Sequence, residues 1–291
     1  MENERNNISY ITEQAITFKQ LVHASNLITK WNKPNLSKNQ KEALPDICAK
    51  YKEYLSSNIN LKGYTEETIR ERVKLLNTYY NFLHSRDFDN LFSAQGKLRP
   101  TILEEFIFLL FKDYISDKKA ELNKQDIIHS GQVKAYSNLF FKAAGFNEFI
   151  NELQIGVNTK DQDYAIYREC TISINNDKNV QICIPAIAVE AKTYIDKTML
   201  DSIIATAEKL KTGNPYVRFI AIAEHYDVGA DVDPAYSRID QIYILRKGRR
   251  RDGWKDIDAD VVIRIFNETK SHIERPWSNI EKKLEENGVI L

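Results

Sequence analysis

From Thr12 to about Leu91, apolar residues recur three and four positions apart. Phe18, Leu21, Val22 and Leu27 come first, then Ile47, Tyr51, Tyr54 and Leu55, then Ile69, Val73, Leu76, Tyr79, Tyr80 and Leu83. That spacing predicts helices that each bury one stripe. No run in this stretch alternates with the period of a strand. Thr65-Glu66-Glu67-Thr68 reads as a helix start, with Thr65 supplying the cap oxygen. Gly96-Lys97-Leu98-Arg99-Pro100 then breaks the chain before a new apolar helix, Thr101 to Ser116. Residues 1–98 are therefore expected to form a helical domain, and 99–291 a second domain.

The second part changes period. A helix is expected from Gln132 to Ala144, and strands rich in Ile, Val and Tyr from Asp163 to Ile174, Val180 to Lys192, Tyr216 to Glu224 and Gln241 to Arg246. Lys197 to Lys211 reads as a helix closed by Gly213-Asn214-Pro215. Val261 to Phe266 is expected as an edge strand and Trp277 to Glu286 as a last helix. This order predicts an α/β (α+β) fold, a central mixed β-sheet flanked by helices, with the helical domain in front. Asn176-Asp177 looks like a hairpin turn, which would let Cys170 and Cys183 face each other across two strands.

Composition narrows the classes. The 291 residues are 43% hydrophobic, enough for one large or two ordinary globular domains, which excludes a disordered or collagen-like chain. Three dispersed cysteines support neither a zinc knuckle nor a disulfide framework, so they are expected as reduced packing residues. The polar N-terminus and short apolar runs predict a soluble, cytoplasmic protein with no membrane partner. The 41 basic and 41 acidic residues cancel, but residues 1–98 carry 14 and 11, leaving 27 and 30 for the rest. Any polyanionic partner must be met by a local arrangement of charge.

The informative passage is Asp163-Tyr164-Ala165-Ile166-Tyr167 with Ala186-Ile187-Ala188-Val189-Glu190-Ala191-Lys192. Alternation in a strand puts Glu190 and Lys192 on one face and Val189 and Ala191 on the other. Ile184, Ala186 and Ala188 precede the charged pair on its own face, so the charges end a buried strand. If the first strand returns beside this one, Asp163 brings a second carboxylate next to Glu190. Two close carboxylates repel unless a cation lies between them or one is protonated. Oxygen ligands of this kind suit Mg²⁺. A lysine on the same face can hold, or help deprotonate, a water aimed at phosphorus. An isolated Glu-x-Lys is more often an ordinary ion pair at a strand end.

In this element order the chain resembles the PD-(D/E)xK nuclease superfamily, over roughly residues 99–250. The resemblance implies a restriction-endonuclease-like core, with Asp163 and Glu190 as Mg²⁺ ligands and Lys192 as the catalytic lysine. The proline that often precedes the Asp is absent, and Asp161 is a rival ligand. The stretch from Val189 to Met199 is similar to the type II restriction endonucleases of the heterodimeric CCTNAGC-cutting family. That implies a Mg²⁺-dependent endonuclease of a restriction-modification system, acting on double-stranded DNA as a homodimer or as a heterodimer with a related subunit. Many superfamily members carry a further acid on the helix before the sheet. Of Glu104 and Glu105, Glu104 flanks the apolar face of that helix and is the expected inward acid, while Glu105 points nearly opposite.

Arg246-Lys247-Gly248-Arg249-Arg250-Arg251 is a candidate DNA contact through phosphates, and Lys197 at the start of the following helix is another. Glu224-His225 ends a buried strand, where a surface or supporting histidine is the simpler role. Phosphate-binding glycine loops, HExxH and a G-x-S-x-G elbow are absent. The competing readings are a non-catalytic nucleic-acid-binding or assembly protein, and a nuclease acting on RNA or branched DNA.

Overall fold

The computed structural model describes residues 2–92, 98–123, 127–151, 154–174, 178–277, 280–286 and 288. Five helices come first: α1 (Glu2–Thr17), α2 (Val22–Trp31), α3 (Lys38–Asn60), α4 (Glu66–Ser85) and α5 (Leu98–Leu122). The stripes of α3 and α4 are those read from the spacing, while Phe18 and Leu21 fall between α1 and α2; Leu27, Ile47, Tyr51, Leu76 and Tyr80 are fully buried. Thr65 caps α4 by accepting from the Thr68 amide at 3.3 Å. Helix α5 begins at Leu98, three residues before expectation, because Pro100 sits in its first turn, where no amide is needed for an intrahelical bond. The expected break at Gly96-Lys97 lies outside the described residues.

The sheet runs β1 (Ile128–Lys142), β2 (Gln154–Ile174), β3 (Lys178–Ile195), β4 (Arg218–Tyr226) and β5 (Gln241–Ile244), in that spatial order. Strands β1, β2 and β3 are antiparallel neighbours, whereas β3, β4 and β5 run parallel. Helix α7 (Lys197–Gly213) makes the crossover from β3 to β4, α8 (Ala259–Glu274) packs on β5, and α6 (Phe146–Asn151) and α9 (Ile280–Glu286) are short. The expected mixed sheet flanked by helices is what forms.

Three local expectations fail. Gln132 to Lys142 is strand, not helix: Gly131, Ala135 and Ser137 are buried while Gln132, Lys134 and Asn138 are exposed, a period of two. Val261 to Phe266 is helix, not edge strand. Its buried residues Val262, Ile263, Ile265, Phe266 and Thr269 follow a helical stripe, and Asp258 caps the start through the amides of Asp260 and Val261. The Asn176-Asp177 turn lies outside the described residues, but the register beside it is fixed. Cys170 pairs with Ile182 and Glu169 with Cys183, so the two cysteines are one step out of register and point to opposite faces. Both are free thiols.

Each face of the sheet has its own core. On one side Tyr164, Ile166, Val189, Ala191, Ile220 and Ile222 join the apolar residues of α1 to α5 and α8 in one continuous cluster. On the other, Ala188, Phe219, Ala221 and Ala223 pack against Leu200, Ile203, Ala207 and Leu210 of α7. Gly213 closes α7 because nothing larger fits: a Cβ there would lie 1.7 Å from the Ser137 carbonyl oxygen of β1. No helix among the described residues is long and apolar enough to cross a membrane.

Candidate active site

Glu190 and Lys192 lie near the C-terminal end of β3, beside Ala221 and Ala223 of β4. Val189 and Ala191 enter the core on the α5 side, so alternation turns the charged pair the other way. Ala188 keeps their face, as expected, and is buried there. A bulge at Ala186, where Ile166 pairs with Ile187 but Tyr167 with Pro185, breaks the alternation before it and removes Ile184 from the predicted row.

Asp163 lies one residue beyond the Tyr164–Val189 pair, across from Glu190. Its Oδ2 accepts the Ala191 amide at 2.7 Å, which pins the carboxylate against β3. Lys192 Nζ lies 2.7 Å from Glu190 Oε1 and 3.4 Å from Asp163 Oδ2. One ammonium is thus shared between two carboxylates that would otherwise repel. Asp161 is exposed and stands in register with Lys134 of β1, away from these contacts.

Glu104 reaches this group from α5. Its Oε2 accepts Gln132 Nε2 of β1 at 2.8 Å. Burial, with the negative charge of Asp163 and then Glu190, pushes the Glu104 carboxyl up to about 7 against the pull of Lys192 and Gln132. Glu190 is raised for the same reasons, burial first and Asp163 second. For Lys192 burial works downward, but Asp163 and Glu190 outweigh it and hold the ammonium positive.

A cation fits these residues. The donors are carboxylate oxygens, the acids carry more negative charge than the lysine cancels, and Lys192 already fills the place between them with positive charge. Among the described residues no three acid, histidine or cysteine side chains form a ready cage. Two carboxylates are a donor set that Mg²⁺ can take when water and substrate oxygens make up the rest.

Glu105, one residue on, has a different place from the solvated one a helix surface suggests. It is fully buried among the N-terminal helices. Oε2 accepts the amides of His23 at 2.9 Å and Ala24 at 3.1 Å, and Oε1 accepts Tyr51 Oη at 2.7 Å. Leu21 cannot cap α2 with its own side chain, so an acid 82 residues from His23 does so.

The basic run divides. Arg246, expected to face DNA, is instead 0% exposed, so it cannot contact a phosphate on the surface. Its Nε bonds Glu224 at 2.7 Å, and its guanidinium lies 3.9 Å from the Trp254 ring centroid. Arg99 of α5 pairs with the same Glu224 oxygen and stacks on the same indole. A buried acid at the end of an apolar strand needs cations, and that was the signal in Glu224 that one arginine of the run is structural. Lys247, Arg250 and Arg251 are exposed, Arg249 is half-buried with Nη1 on the Val228 carbonyl, and Lys247 also pairs with Asp258 at 2.6 Å. Lys197 is exposed at the first turn of α7.

A cavity of about 380 Å³, which the sequence did not suggest, opens at the end of β3 past Lys192. Thr193 and Tyr194, immediately after Lys192, form one wall, with Arg99, His225, Arg250 and Trp254 on the others. Arg250 lies 5.0 Å from the Tyr194 ring centroid, and His225 Nδ1 is buried with no hydrogen-bond partner among the described residues.

A model of the Bpu10I restriction endonuclease family matches residues 95–255, more than half of the chain. The chain belongs to the Bpu10I restriction endonuclease family. The stretch contains every residue of the acid–lysine group and the whole basic run. The family thus bears out the resemblance to type II restriction endonucleases and makes the protein a nuclease by descent. Among solved structures, a chain of the native BbvCI A2B2 tetramer superimposes with a TM-score of 0.65 over 88% of this chain and 95% of that one, at 20% identity. That is a likeness of fold, and it extends to the helices before residue 95. Two RecX regulatory proteins of Clostridium botulinum also match weakly. The strain Eklund 17B protein is 27% identical over 138 residues, 44% of this chain and 63% of its own length. The strain Alaska E43 protein is 26% identical over 171 residues, 55% and 79%.

Proposed function

We propose that this Bpu10I-family protein hydrolyses phosphodiester bonds in double-stranded DNA at a specific short sequence, with Mg²⁺, as one subunit of a type II restriction endonuclease. The observation that carries this reading is the Lys192 ammonium held between Glu190 and Asp163 at the end of β3. Asp163 and Glu190 would hold the Mg²⁺, which when bound supplies positive charge to the scissile phosphate and its leaving oxygen. Asp163 is kept in place by the Ala191 amide. Lys192 orients the attacking water toward phosphorus and offsets the charge that develops there. Glu104, raised toward neutrality, takes up or releases a proton at the edge of the group.

The cavity beside Lys192 gives DNA a second hold. Arg250 and His225 line it with Tyr194, two residues past Lys192, and a backbone phosphate next to the scissile one would meet Arg250 there. Lys197, Lys247, Arg249 and Arg251 would extend phosphate contacts outward. The helical part, residues 1–98, would help recognise DNA or assemble subunits. BbvCI is solved as an A2B2 tetramer, and a partner subunit of related fold is the corresponding expectation here.

The test is incubation of the purified chain, alone and with any subunit encoded beside it, on plasmid DNA with Mg²⁺, followed by mapping of the ends. Discrete fragments or nicks are expected with the parent and about a thousandfold slower cutting with Lys192→Ala. Equal cutting by that variant would defeat the mechanism.

A further inference from the structure

The C-terminal end of α7 rests on β1, where Gly213 lies against the Ser137 carbonyl. Between this helix end and strands β1 and β2 is a cavity of about 340 Å³ with two lysines in its wall, Lys160 of β2 and Lys209 of α7. Every other residue that lines it is Ser, Asn or Thr. Lys160 pairs with Ala135, which is buried against α7, so strand alternation puts Lys160 and Asn158 on the α7 side of the sheet. Among the described residues no carboxylate lines the cavity to hold a metal ion, and no apolar side chain to hold a hydrophobic group. Two ammonium groups among amides and hydroxyls suit an oxyanion of the phosphate kind.

The charges around the cavity are already matched: Lys211 pairs with Asp240 at 2.6 Å and Arg238 with Glu208 at 3.1 Å. Lys160 and Lys209 have no ion pair among the described residues. Nor is Lys209 needed to close its helix, because the carbonyls of Glu208, Lys209 and Leu210 accept Thr212 Oγ1, Ser137 Oγ and the Asn214 amide. Position then chooses among anions. Lys160 comes three residues before Asp163, about 10 Å along β2. Its charge reaches Glu190, whose carboxyl burial and Asp163 raise more strongly than Lys192 and Lys160 lower it. One strand of a duplex advances ~3.4 Å per nucleotide, so the cavity is about three steps from a phosphate at the acids. We propose that it holds a backbone phosphate of bound duplex DNA. The inference rests on the nuclease reading and deepens it. The cavity lies toward β1 and the Arg250 cavity toward β4, with the acids on β2 and β3 between them, so the duplex crosses the end of the sheet.

The test is binding of the purified full chain to a duplex of about three helical turns, without Mg²⁺, over a range of salt. Any sequence serves, because phosphate contacts do not read bases. The double variant Lys160→Ala, Lys209→Ala is expected to lower the slope of log K against log salt by about 2 and to bind roughly tenfold more weakly at about 0.15 M salt. Its melting temperature should match the parent's. Lys160→Arg with Lys209→Arg keeps both charges and should keep the slope, as should Lys211→Ala, whose lysine Asp240 already holds. A Lys160→Ala, Lys209→Ala variant with the parent's slope overturns the proposal, and so does a parent that binds no duplex. Inorganic phosphate is the other source of the same chemistry. If it raises the melting temperature of the parent but not of the alanine variant, while the two bind DNA alike, the cavity serves a free anion and the proposal fails. Cleavage with Mg²⁺ separates the two readings. An unchanged slope beside cutting that needs Lys192 removes only the cavity's role, whereas a lowered slope in a chain that never cuts removes the nuclease and leaves the DNA contact.

Discussion

Glu104 and Glu105 are adjacent on α5, and burial pushes each carboxyl up to about 7, yet their surroundings differ in kind. Glu105 meets donors alone: two amides at the start of α2 and the Tyr51 hydroxyl. Nearby His23 is driven down to about 3, burial first and Lys30 second, so its ring is neutral and adds no charge. Glu104 meets one donor, one lysine and two other carboxylates. A buried acid whose oxygens are matched by donors holds a fold together. A buried acid facing others of its own sign is unfavourable until a cation arrives, and that asks for a functional explanation.

The largest effect that would break this contrast is at the lysine. Lys192→Ala should lower cleavage by about a thousandfold while leaving the melting temperature close to that of the parent. Unaltered rates in single-turnover assays would reduce the acid group to an ordinary strand-end ion pair. On the other side of α5, Glu105→Ala strands three donors and should cost about 3 kcal/mol in urea unfolding. Its cleavage rate per folded molecule should be unchanged, so a selective loss of rate would dissolve the distinction between the two acids.

Acidity sharpens the same comparison. The folded pKa of Glu105 lies near 7 and its ordinary value at 4.5, so the folded chain holds a proton that the unfolded chain has already lost within that window. Its contribution to stability is therefore greatest toward pH 4.5 and falls as pH rises to 7. Unfolding of Glu105→Gln compared with the parent at about pH 5 and about pH 8 should show the parent gaining relative to the variant at the lower value. The same gap at both would mean that the carboxyl stays ionised throughout.

Smaller changes are expected at the margins of the site. Glu104→Gln should raise the Mg²⁺ concentration for half-maximal cleavage by about tenfold, since it removes negative charge without removing bulk. A metal titration that superimposes on the parent's would place Glu104 outside the reacting group. Arg250→Ala should weaken DNA binding evenly across sequences and lower the salt-dependence slope by about 1. The buried Arg246 offers the contrast, because its replacement should lower the melting temperature instead.

Much of the site was legible because strand alternation is strict. Glu190 and Lys192 had to share a face, and Asp163 had to lie across a returning strand. Glu104 was legible from its angle on the helix. What escaped depends on partners distant in the chain. The Gln132 to Lys142 strand carries Leu, Phe and Ala that satisfy a helical spacing equally well, and its pairing with β2 decides the matter. Arg246 looked like its basic neighbours until Glu224 and Trp254 were brought against it. Glu105 was read only as pointing away from the apolar face because the amides it caps, His23 and Ala24, lie 82 and 81 residues earlier. The family match shows the nuclease ancestry of residues 95–255 without saying which arginines touch DNA.

Helix α5 is apolar toward both the N-terminal helices and the sheet, and that limits how the protein can be recombined. Exchanging residues 1–98 for those of a relative with different recognition would bring in an α2 whose start has lost its counterpart, unless position 105 and the residues around it were exchanged as well. A working chimera would have its junction after α5. In engineering terms the movable unit is then the first five helices together, although the fifth also delivers Glu104 to the chemistry.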